Sequence, residues 1–270
     1  MTYDAFNEYE RSMWERRAGH YAGSFEALTA LTIEPLLDAV GAAPGVVLLD
    51  IGTGPGFVAA AAFARGAVVT GVDVAEAMIS LAARRVPDAT FRQGSAEALP
   101  VPDRAFDAVV GNFVLLHLGH PERALAEARR ALRPGGRCAF SVWQPPSENR
   151  AIGVFHDAVA AAGVAAPGDI PEGPPMFALG AADTFGTALT DAGFRDASVV
   201  ACAATLRVDP GAWWEATVNS TPRTGALIGR QTDAVQARIR AEYDAIVARY
   251  RDGDLIALPV AALLASATAP

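Results

Sequence analysis

The chain has 270 residues, of which 51% are hydrophobic and 19% are charged, with a formal net charge of −8 at pH 7. This length allows one large α/β domain with elaborations and a substantial buried core. The acidic balance argues against nucleic acid or an anionic membrane as the main partner.

The cysteine count and the chain ends bear on compartment and metal content. The cysteines, Cys138 and Cys202, have neither zinc-site spacing nor a disulfide framework, and no histidine–acid cluster predicts a metal. Residues 1–19 lack the apolar core of a signal peptide, and the apolar tail at 260–269 is too short to span a bilayer. We therefore expect a cytoplasmic protein without membrane insertion. The sequence leaves the oligomeric state open, with a homodimer as one alternative.

The N-terminal segment reads as two helices over residues 3–40. Apolar residues recur at helical spacing, and Gly19 and Gly23 predict a break between the helices. Tyr21 falls within that break, where its side chain is free to reach a ligand. Because the segment precedes the first strand, residues 1–42 can form a lid over the sheet edge; packing on that edge without a lid role is the alternative.

A strand followed by a glycine turn dominates the middle of the chain. Residues 46–51 are an apolar run typical of a buried strand, and G-x-G-x-G follows with Asp50 two positions before its first glycine. Such a turn lets backbone N–H groups approach a ligand closely. A dinucleotide fingerprint would be G-x-G-x-x-G, but Phe57 occupies the last glycine position and Pro55 removes a donor. The turn therefore favours a less phosphate-like ligand than a dinucleotide, or serves only as a tight connection.

Strands and helices then alternate up to Trp143, which predicts a parallel sheet with helices on both faces. Asp73 ends the second strand, beside the glycine turn in any doubly wound sheet. Its carboxylate can accept hydrogen bonds from both hydroxyls of a ribose; the alternative role is a helix N-cap. After Trp143, proline-rich loops and helices suggest insertions at about 144–180 and 209–253 within a domain spanning 43–270.

These elements occur in a characteristic order: Asp50 with its glycine turn, Asp73, the 94–100 loop, Phe106-Asp107, and the Leu132–Gly136 turn. In this order they resemble the class I methyltransferases that use S-adenosylmethionine. The small-molecule branch that includes the ubiquinone and menaquinone biosynthesis methyltransferases is the most similar. The resemblance covers residues 10–143 by motif and is only architectural after about residue 194.

The resemblance implies a fold and a cofactor site. The fold is a doubly wound, seven-stranded, mainly parallel sheet of order 3-2-1-4-5-7-6 with an antiparallel seventh strand. Cys138 and Cys202 would then lie on strands separated by the seventh, too far apart for a disulfide. The residues expected to bind S-adenosylmethionine are Tyr21, Asp50, Gly52, Thr53, Gly54, Asp73, Val74, Met78, Ser95, Ala96, Glu97 and Asn112. Relatives often carry aspartate at the position of Ser95. The serine in this chain weakens the expected contact with the adenine.

His117 is the candidate catalytic base, because it follows the fourth strand at the ligand-binding edge and imidazole exchanges protons near neutral pH. A structural role is the alternative. His20 and His156 are weaker candidates. Aromatic and thioether side chains after the fifth strand are expected to line an acceptor pocket, although each could equally be core: Trp143, Phe155, Met176, Phe177, Trp213 and Trp214.

The expected function is methyl transfer from S-adenosylmethionine to the O, N or C atom of a small, largely apolar or aromatic acceptor, in secondary or quinone-like metabolism. One alternative is a non-transferring cyclase or regulatory protein that keeps the fold and the cofactor. Another is a nicotinamide-dependent oxidoreductase, against which Pro55 and Phe57 count.

Overall fold

The structure, a computed structural model, describes residues 3–165, 167–168 and 170–270. The lid prediction for 1–42 and the insertion prediction for 144–180 each include residues outside these ranges. Within them the strands are β1 Val47–Ile51, β2 Val68–Asp73, β3 Thr90–Gln93, β4 Phe106–Asn112, β5 Leu132–Trp143, β6 Arg195–Val208, β7 Arg251–Asp252 and β8 Leu255–Thr268.

The strands form one sheet of order β3-β2-β1-β4-β5-β8-β6. β1 to β5 pair in parallel, and β8 lies antiparallel between β5 and β6. The predicted order is thus confirmed, with β8 as the expected seventh strand. The strand count differs, because the chain turns at Gly253 and the two-residue β7 pairs with the start of β8. Cys138 on β5 and Cys202 on β6 are free and are separated by β8, as predicted.

Eleven α-helices lie in the described ranges. They are α1 Asp4–Ser24, α2 Glu26–Thr29, α3 Ile33–Ala39, α4 Phe57–Ala64, α5 Glu76–Arg85, α6 Pro121–Ala131, α7 Arg150–Ala161, α8 Ala182–Asp191, α9 Pro210–Ser220, α10 Thr224–Gly229 and α11 Asp233–Val247. Short 3₁₀ turns occupy Ala30–Thr32, Leu115–His117 and Ala248–Tyr250. None of the described helices has the length and apolar character needed to cross a membrane.

The N-terminal helix is longer than predicted. α1 continues through Gly19 and Gly23 and ends at Ser24, so Tyr21 is helical and not in a break. A Cβ at either glycine would meet nothing within 4 Å, so neither position requires glycine for packing. Glycine lowers helix propensity by only about 1 kcal/mol, and contacts of α1 with α5 and α9 outweigh that cost.

The late helices and the N-terminal helices share one apolar cluster. Phe25 and Leu28 pack in it with residues of α7, α9, α11 and the first half of β8. The cluster continues to Trp143 at the carboxyl end of β5. The predicted lid and the predicted insertions therefore form one helical layer beside the carboxyl ends of the parallel strands.

Candidate active site

A cleft of about 800 Å³, including its open mouth, lies where β1, β2, β3 and β4 end. The carboxyl ends of parallel strands are the edge at which open α/β sheets bind ligands. Ten of the twelve predicted cofactor residues line this cleft: Tyr21, Gly52, Gly54, Asp73, Val74, Met78, Ser95, Ala96, Glu97 and Asn112. The other two, Asp50 and Thr53, lie beneath it.

The glycine turn forms the floor of the cleft. Gly52 and Gly54 both have left-handed backbones, with φ of 65° and 53°. A Cβ at Gly52 would lie 2.5 Å from Val114 Cγ2, whereas one at Gly54 would meet only Gly52 O, at 4.0 Å. Gly52 is therefore required by packing, and Gly54 leaves backbone open toward the cleft.

Two buried acids hold this turn. Asp50 is 1% exposed, and its Oδ2 accepts a hydrogen bond of 2.7 Å from Thr53 Oγ1, while its Oδ1 has no hydrogen-bond partner among the described residues. Asp73 accepts hydrogen bonds from Gly54 N at 2.9 Å and Ala75 N at 3.0 Å. Asp73 thus holds the backbone that leads into α5, and it also lines the cleft.

Burial governs the protonation of both acids. It raises the pKa of Asp50 to about 7, because the hydrogen bond from Thr53 offsets only part of the desolvation and nearby Asp73 disfavours a second charge. Burial also raises the pKa of Asp73, although backbone N–H groups of Ala75 and Gly54 stabilise its charged form. A ligand that brings hydrogen-bond donors or positive charge would stabilise both carboxylates.

The loop after β3 connects the cleft to the N-terminal helix. Ser95 Oγ accepts a hydrogen bond from Glu97 N, at 3.1 Å. Glu97 Oε1 in turn accepts from Asn7 Nδ2 at 3.0 Å and from His120 N at 2.9 Å. Both side chains line the cleft, but Glu97 also anchors α1 to the loops that follow β3 and β4.

The N-terminal helix forms one wall of the cleft. Trp14 and Tyr21 line it, with their rings 5.1 Å apart in an edge contact. Farther along this wall, Glu15 accepts hydrogen bonds of 3.2 and 3.3 Å from Ala77 N at the start of α5. The geometry thus places α1 directly against the predicted adenine side of the cleft.

Asn112 ends β4 with every polar side-chain atom engaged. Its Oδ1 accepts from Thr32 Oγ1 and from Ser141 Oγ, each at 2.6 Å, and its Nδ2 donates to Thr29 O at 3.1 Å. The side chain therefore links the N-terminal helices to β4 and β5, in addition to bordering the cleft.

A second cavity, of about 600 Å³, adjoins the first. Both cavities are lined by Trp14, Tyr21, Phe113 and His117. Phe113 turns the chain at the end of β4 with a left-handed φ of 55°, and its ring stacks on Trp143 at 3.6 Å. A strained non-glycine backbone is typical of functional sites, and here it places an aromatic ring where the cavities meet.

His117 lies at this junction and contacts an acid on α1. Its Nδ1 is 3.0 Å from Glu10 Oε2, and its ring makes an edge contact of 4.9 Å with Trp14. The other oxygen of Glu10 accepts a hydrogen bond of 3.1 Å from Arg223 Nε. Glu10 is only 3% exposed, so a buried acid joins a histidine and an arginine from two distant segments.

The predicted acceptor residues divide into two groups. Trp143, Met176 and Trp213 line the second cavity. Phe155 and Trp214 are buried behind it, stacked together with ring centres 5.9 Å apart, and Phe177 contacts His156. His20 lies on the exposed side of α1, and neither it nor His156 is in either cavity lining.

Several lining residues were not predicted from the sequence as site residues: Asn7, Glu10, Phe25, Phe113, Thr217 and Arg223. Glu10 and Arg223 are 213 positions apart, and no spacing rule joins them. The one available signal was the helical periodicity that placed Phe25 on an apolar face.

The cleft residues fit S-adenosylmethionine on two observations. The floor at Gly54 is open backbone, and the Asp73 carboxylate faces the cleft where ribose hydroxyls would donate. Within the described part of the chain, no group of three or more histidine, cysteine or acidic side chains is arranged to hold a metal.

Comparison with known proteins agrees with this geometry. Residues 49–140 match the family model described as a methyltransferase domain. A demethylmenaquinone methyltransferase of Renibacterium salmoninarum is 38% identical over 112 residues, which are 42% of this chain and 47% of the relative. The chain thus spans about half the length of the curated relative that it matches.

Two solved structures extend the likeness across the chain as a similarity of fold. A chain from the Haloferax volcanii complex with the Trm112 methyltransferase activator has a TM-score of 0.62 at 20% identity, covering 96% of this chain and 97% of that one. The Haemonchus contortus phosphoethanolamine N-methyltransferase 2, solved with S-adenosylhomocysteine, has a TM-score of 0.53 at 18% identity, covering 88% and 52%. Residues 49–140 therefore resemble a methyltransferase domain in sequence, and these structures share the fold of the chain.

Proposed function

We propose that the chain, which carries a class I S-adenosylmethionine-dependent methyltransferase domain, transfers a methyl group to a small, largely apolar or aromatic acceptor. The observation that carries the proposal is the pair of adjoining cavities. One is floored by glycine backbone; the other is walled by Trp143, Trp213 and Phe25, and His117 borders both. An acceptor in the second cavity would meet the reactive end of the cofactor at this junction.

When bound, S-adenosylmethionine supplies a methyl group that the acceptor atom takes by in-line displacement at the sulfonium. Asp73 would accept hydrogen bonds from the ribose, and Val74 and Met78 would pack on the adenine. Trp14 and Tyr21 would exclude water from the junction. Holding two reactants at near-attack distance contributes up to about 7–11 kcal/mol to a reaction of this kind.

His117 is the proposed base for an acceptor that must lose a proton. With its Nδ1–H donating to Glu10, the imidazole would present an unprotonated Nε2, and no hydrogen bond of Nε2 is found among the described residues. The acceptor's proton would pass to Nε2 as the methyl–oxygen or methyl–carbon bond forms. An amine acceptor would lose its proton to water after transfer and would need no such base.

The proposal is tested by calorimetry and by a labelled-methyl assay. S-adenosylmethionine and S-adenosylhomocysteine should bind, and NAD should not; binding of NAD alone would favour an oxidoreductase. Transfer of labelled methyl to a phenolic or aromatic amine acceptor would support the proposed activity. Cofactor binding without transfer to any member of a phenol, amine and activated-carbon panel would favour the non-transferring cyclase or regulatory protein.

The role of His117 needs a variant. His117→Ala should lower kcat for a hydroxyl acceptor by about 10²–10⁴-fold, the usual contribution of a positioned base. Affinity for S-adenosylhomocysteine should change little. A variant that keeps the wild-type rate with hydroxyl acceptors would rule out His117 as the base and leave proximity as the source of catalysis.

A further inference from the structure

The buried carboxylate beside the proposed base is bonded to a cation on its other side. Glu10 Oε2 lies 3.0 Å from His117 Nδ1, and Glu10 Oε1 accepts a hydrogen bond of 3.1 Å from Arg223 Nε. Each contact uses one carboxylate oxygen, so Glu10 joins an imidazole and a guanidinium in a single row. With Glu10 only 3% exposed, solvent screens its charge weakly, and the charge acts on both partners.

Arg223 lies between α9 and α10, and each of its three guanidinium nitrogens donates a hydrogen bond. Besides the bond to Glu10, Nη1 donates to Pro174 O at 2.9 Å and Nη2 donates to Leu116 O at 3.1 Å. The guanidinium carbon also lies 4.5 Å from the ring centre of Phe6. Because Leu116 immediately precedes His117, this guanidinium holds both the carboxylate that faces the imidazole and the backbone that carries it.

Other titratable side chains share the two cavity linings with His117. They are Arg11 and Tyr21 on α1, Asp73 at the end of β2 and Glu97 in the loop after β3, in addition to Glu10 and Arg223. Arg11 donates to Glu8 and is thereby paired on its own helix. Burial raises the pKa of Asp73, and His117 is among the groups that oppose this rise. Arg223 is therefore the cation bonded to the acid that contacts the imidazole.

The protonation of His117 depends on this balance of charge. A buried carboxylate without a cation is strongly unfavourable, so Glu10 alone would draw a proton to the pair. A proton on the imidazole would leave both ring nitrogens protonated. A proton on the carboxylate would let Glu10 donate to Nδ1, and the ring would then carry its own proton on Nε2. Either outcome blocks Nε2 as a base, whereas Arg223 compensates the carboxylate without any added proton.

We propose that Arg223 is a positioning residue, which balances the charge of Glu10 and so keeps Nε2 of His117 unprotonated until an acceptor delivers its proton. That proton makes the imidazole cationic, and Glu10 then stabilises the new charge through Nδ1. This inference rests on the proposed function, because it takes His117 as the base. Arg223 acts through these two residues and neither gives nor takes a proton.

The ring nitrogens of His117 report this state directly. Protein labelled with ¹⁵N at histidine and saturated with S-adenosylhomocysteine should show, at pH 7.5, a protonated Nδ1 and an unprotonated Nε2. The two forms of a ring nitrogen differ widely in chemical shift, and His117→Ala identifies the signals. A wild-type Nε2 that is already protonated would overturn the proposal.

Variants of Arg223 separate its charge from its shape. Arg223→Gln should place a proton on Nε2 in most of the protein, and Arg223→Lys, which keeps the charge, should not. The matched control is Arg130→Gln. Arg130 also donates to an acid, Glu127, and to a backbone carbonyl, Val101 O, but is absent from both cavity linings. This control should change neither nitrogen. An unprotonated Nε2 in Arg223→Gln would reduce Arg223 to a structural role and overturn the proposal.

A double variant keeps the proposal falsifiable if Arg223→Gln does not fold. Glu10→Gln/Arg223→Gln removes both charges together, and replacing both partners of a buried pair is far less destabilising than removing one. The double variant should melt at a higher temperature than Arg223→Gln and should regain an unprotonated Nε2. Equal destabilisation of the single and double variants would assign Arg223 to its carbonyl contacts alone and overturn the proposal.

Rates of labelled-methyl transfer separate this inference from the proposed function. With 2-naphthol as the hydroxyl probe, Arg223→Gln should lower the rate by about 10²-fold or more, the scale of losing a positioned base, and with 1-naphthylamine by less than about threefold. Equal losses with both probes would overturn the inference. A wild type that binds S-adenosylhomocysteine but methylates neither probe would count against the proposed function, and the nitrogen spectra would still decide the role of Arg223.

Discussion

Glu10 Oε2 lies 3.0 Å from Nδ1 of His117, and these residues are 107 positions apart in the chain. One belongs to the helix that covers the cofactor cleft, and the other to the turn that follows β4. A carboxylate in this position fixes the tautomer and the ring orientation of an imidazole, as the acid does in Ser-His-Asp triads. Closure of α1 over the cleft would therefore also bring Glu10 to His117 and orient the proposed base.

Glu10→Gln tests this positioning role. The amide can still hydrogen-bond but cannot stabilise an imidazolium, so kcat for a hydroxyl acceptor should fall. The loss should be smaller than the about 10²–10⁴-fold expected for removal of the base itself. The KM for S-adenosylmethionine should stay close to wild type, and amine acceptors should be much less affected. Parallel losses with both acceptor types would indicate a structural role only. Glu8→Gln, an exposed acid on the same helix, is the control and should change nothing.

Asp73 should dominate cofactor affinity. Loss of its carboxylate would leave two ribose hydroxyls and the N–H groups of Gly54 and Ala75 without their acceptor, which typically costs about 1–3 kcal/mol. Asp73→Ala should therefore bind S-adenosylhomocysteine about ten- to a hundredfold more weakly by calorimetry. Asp107→Ala is the comparison, since Asp107 accepts from Val47 N at the opposite end of the sheet and should leave affinity unchanged. Equal affinities in all three proteins would refute the assignment.

Asp50 should make the ligand-free protein less stable as pH rises. Its pKa is about 7 in the folded chain, against an ordinary value of 3.8. Between these values the folded protein keeps the proton that the unfolded chain has lost, so the free energy of unfolding falls with increasing pH and levels off above about pH 7. Urea unfolding from pH 4.5 to 8 should show this fall in the wild type and a shallower one in Asp50→Asn. Superimposable pH dependences would show that Asp50 is ionised throughout.

The lid role of α1 predicts ligand-dependent protection. Asn7 bonds to Glu97, Glu15 to Ala77 N, and Arg17 Nη1 to Val218 O at 2.7 Å, and a lid that opens to admit the cofactor would break these contacts. Amide exchange of α1 should be faster in the free protein than with saturating S-adenosylhomocysteine. Exchange of α8, which packs on β6 and β8 away from the cleft, should not change. If α1 exchanges at the same rate in both states, the helix is edge packing and not a lid.

The parallel sheet and most residues of the first cleft could be predicted from the sequence. Alternating strands and helices predicted a parallel sheet, and the resemblance to class I methyltransferases supplied the β3-β2-β1-β4-β5 order. The acids and glycines of the cleft lie within a few residues of strand ends. Asp50, Gly52 and Asp73 were therefore identifiable from their neighbours along the chain.

The junction of the two cavities could not be predicted from the sequence. Glu10, His117 and Arg223 come from three segments that have no common periodicity, and they meet because helical layers pack over one sheet edge. The same packing decided which of the predicted acceptor residues reach the second cavity. Trp213 lines it, and Phe155 is buried behind it.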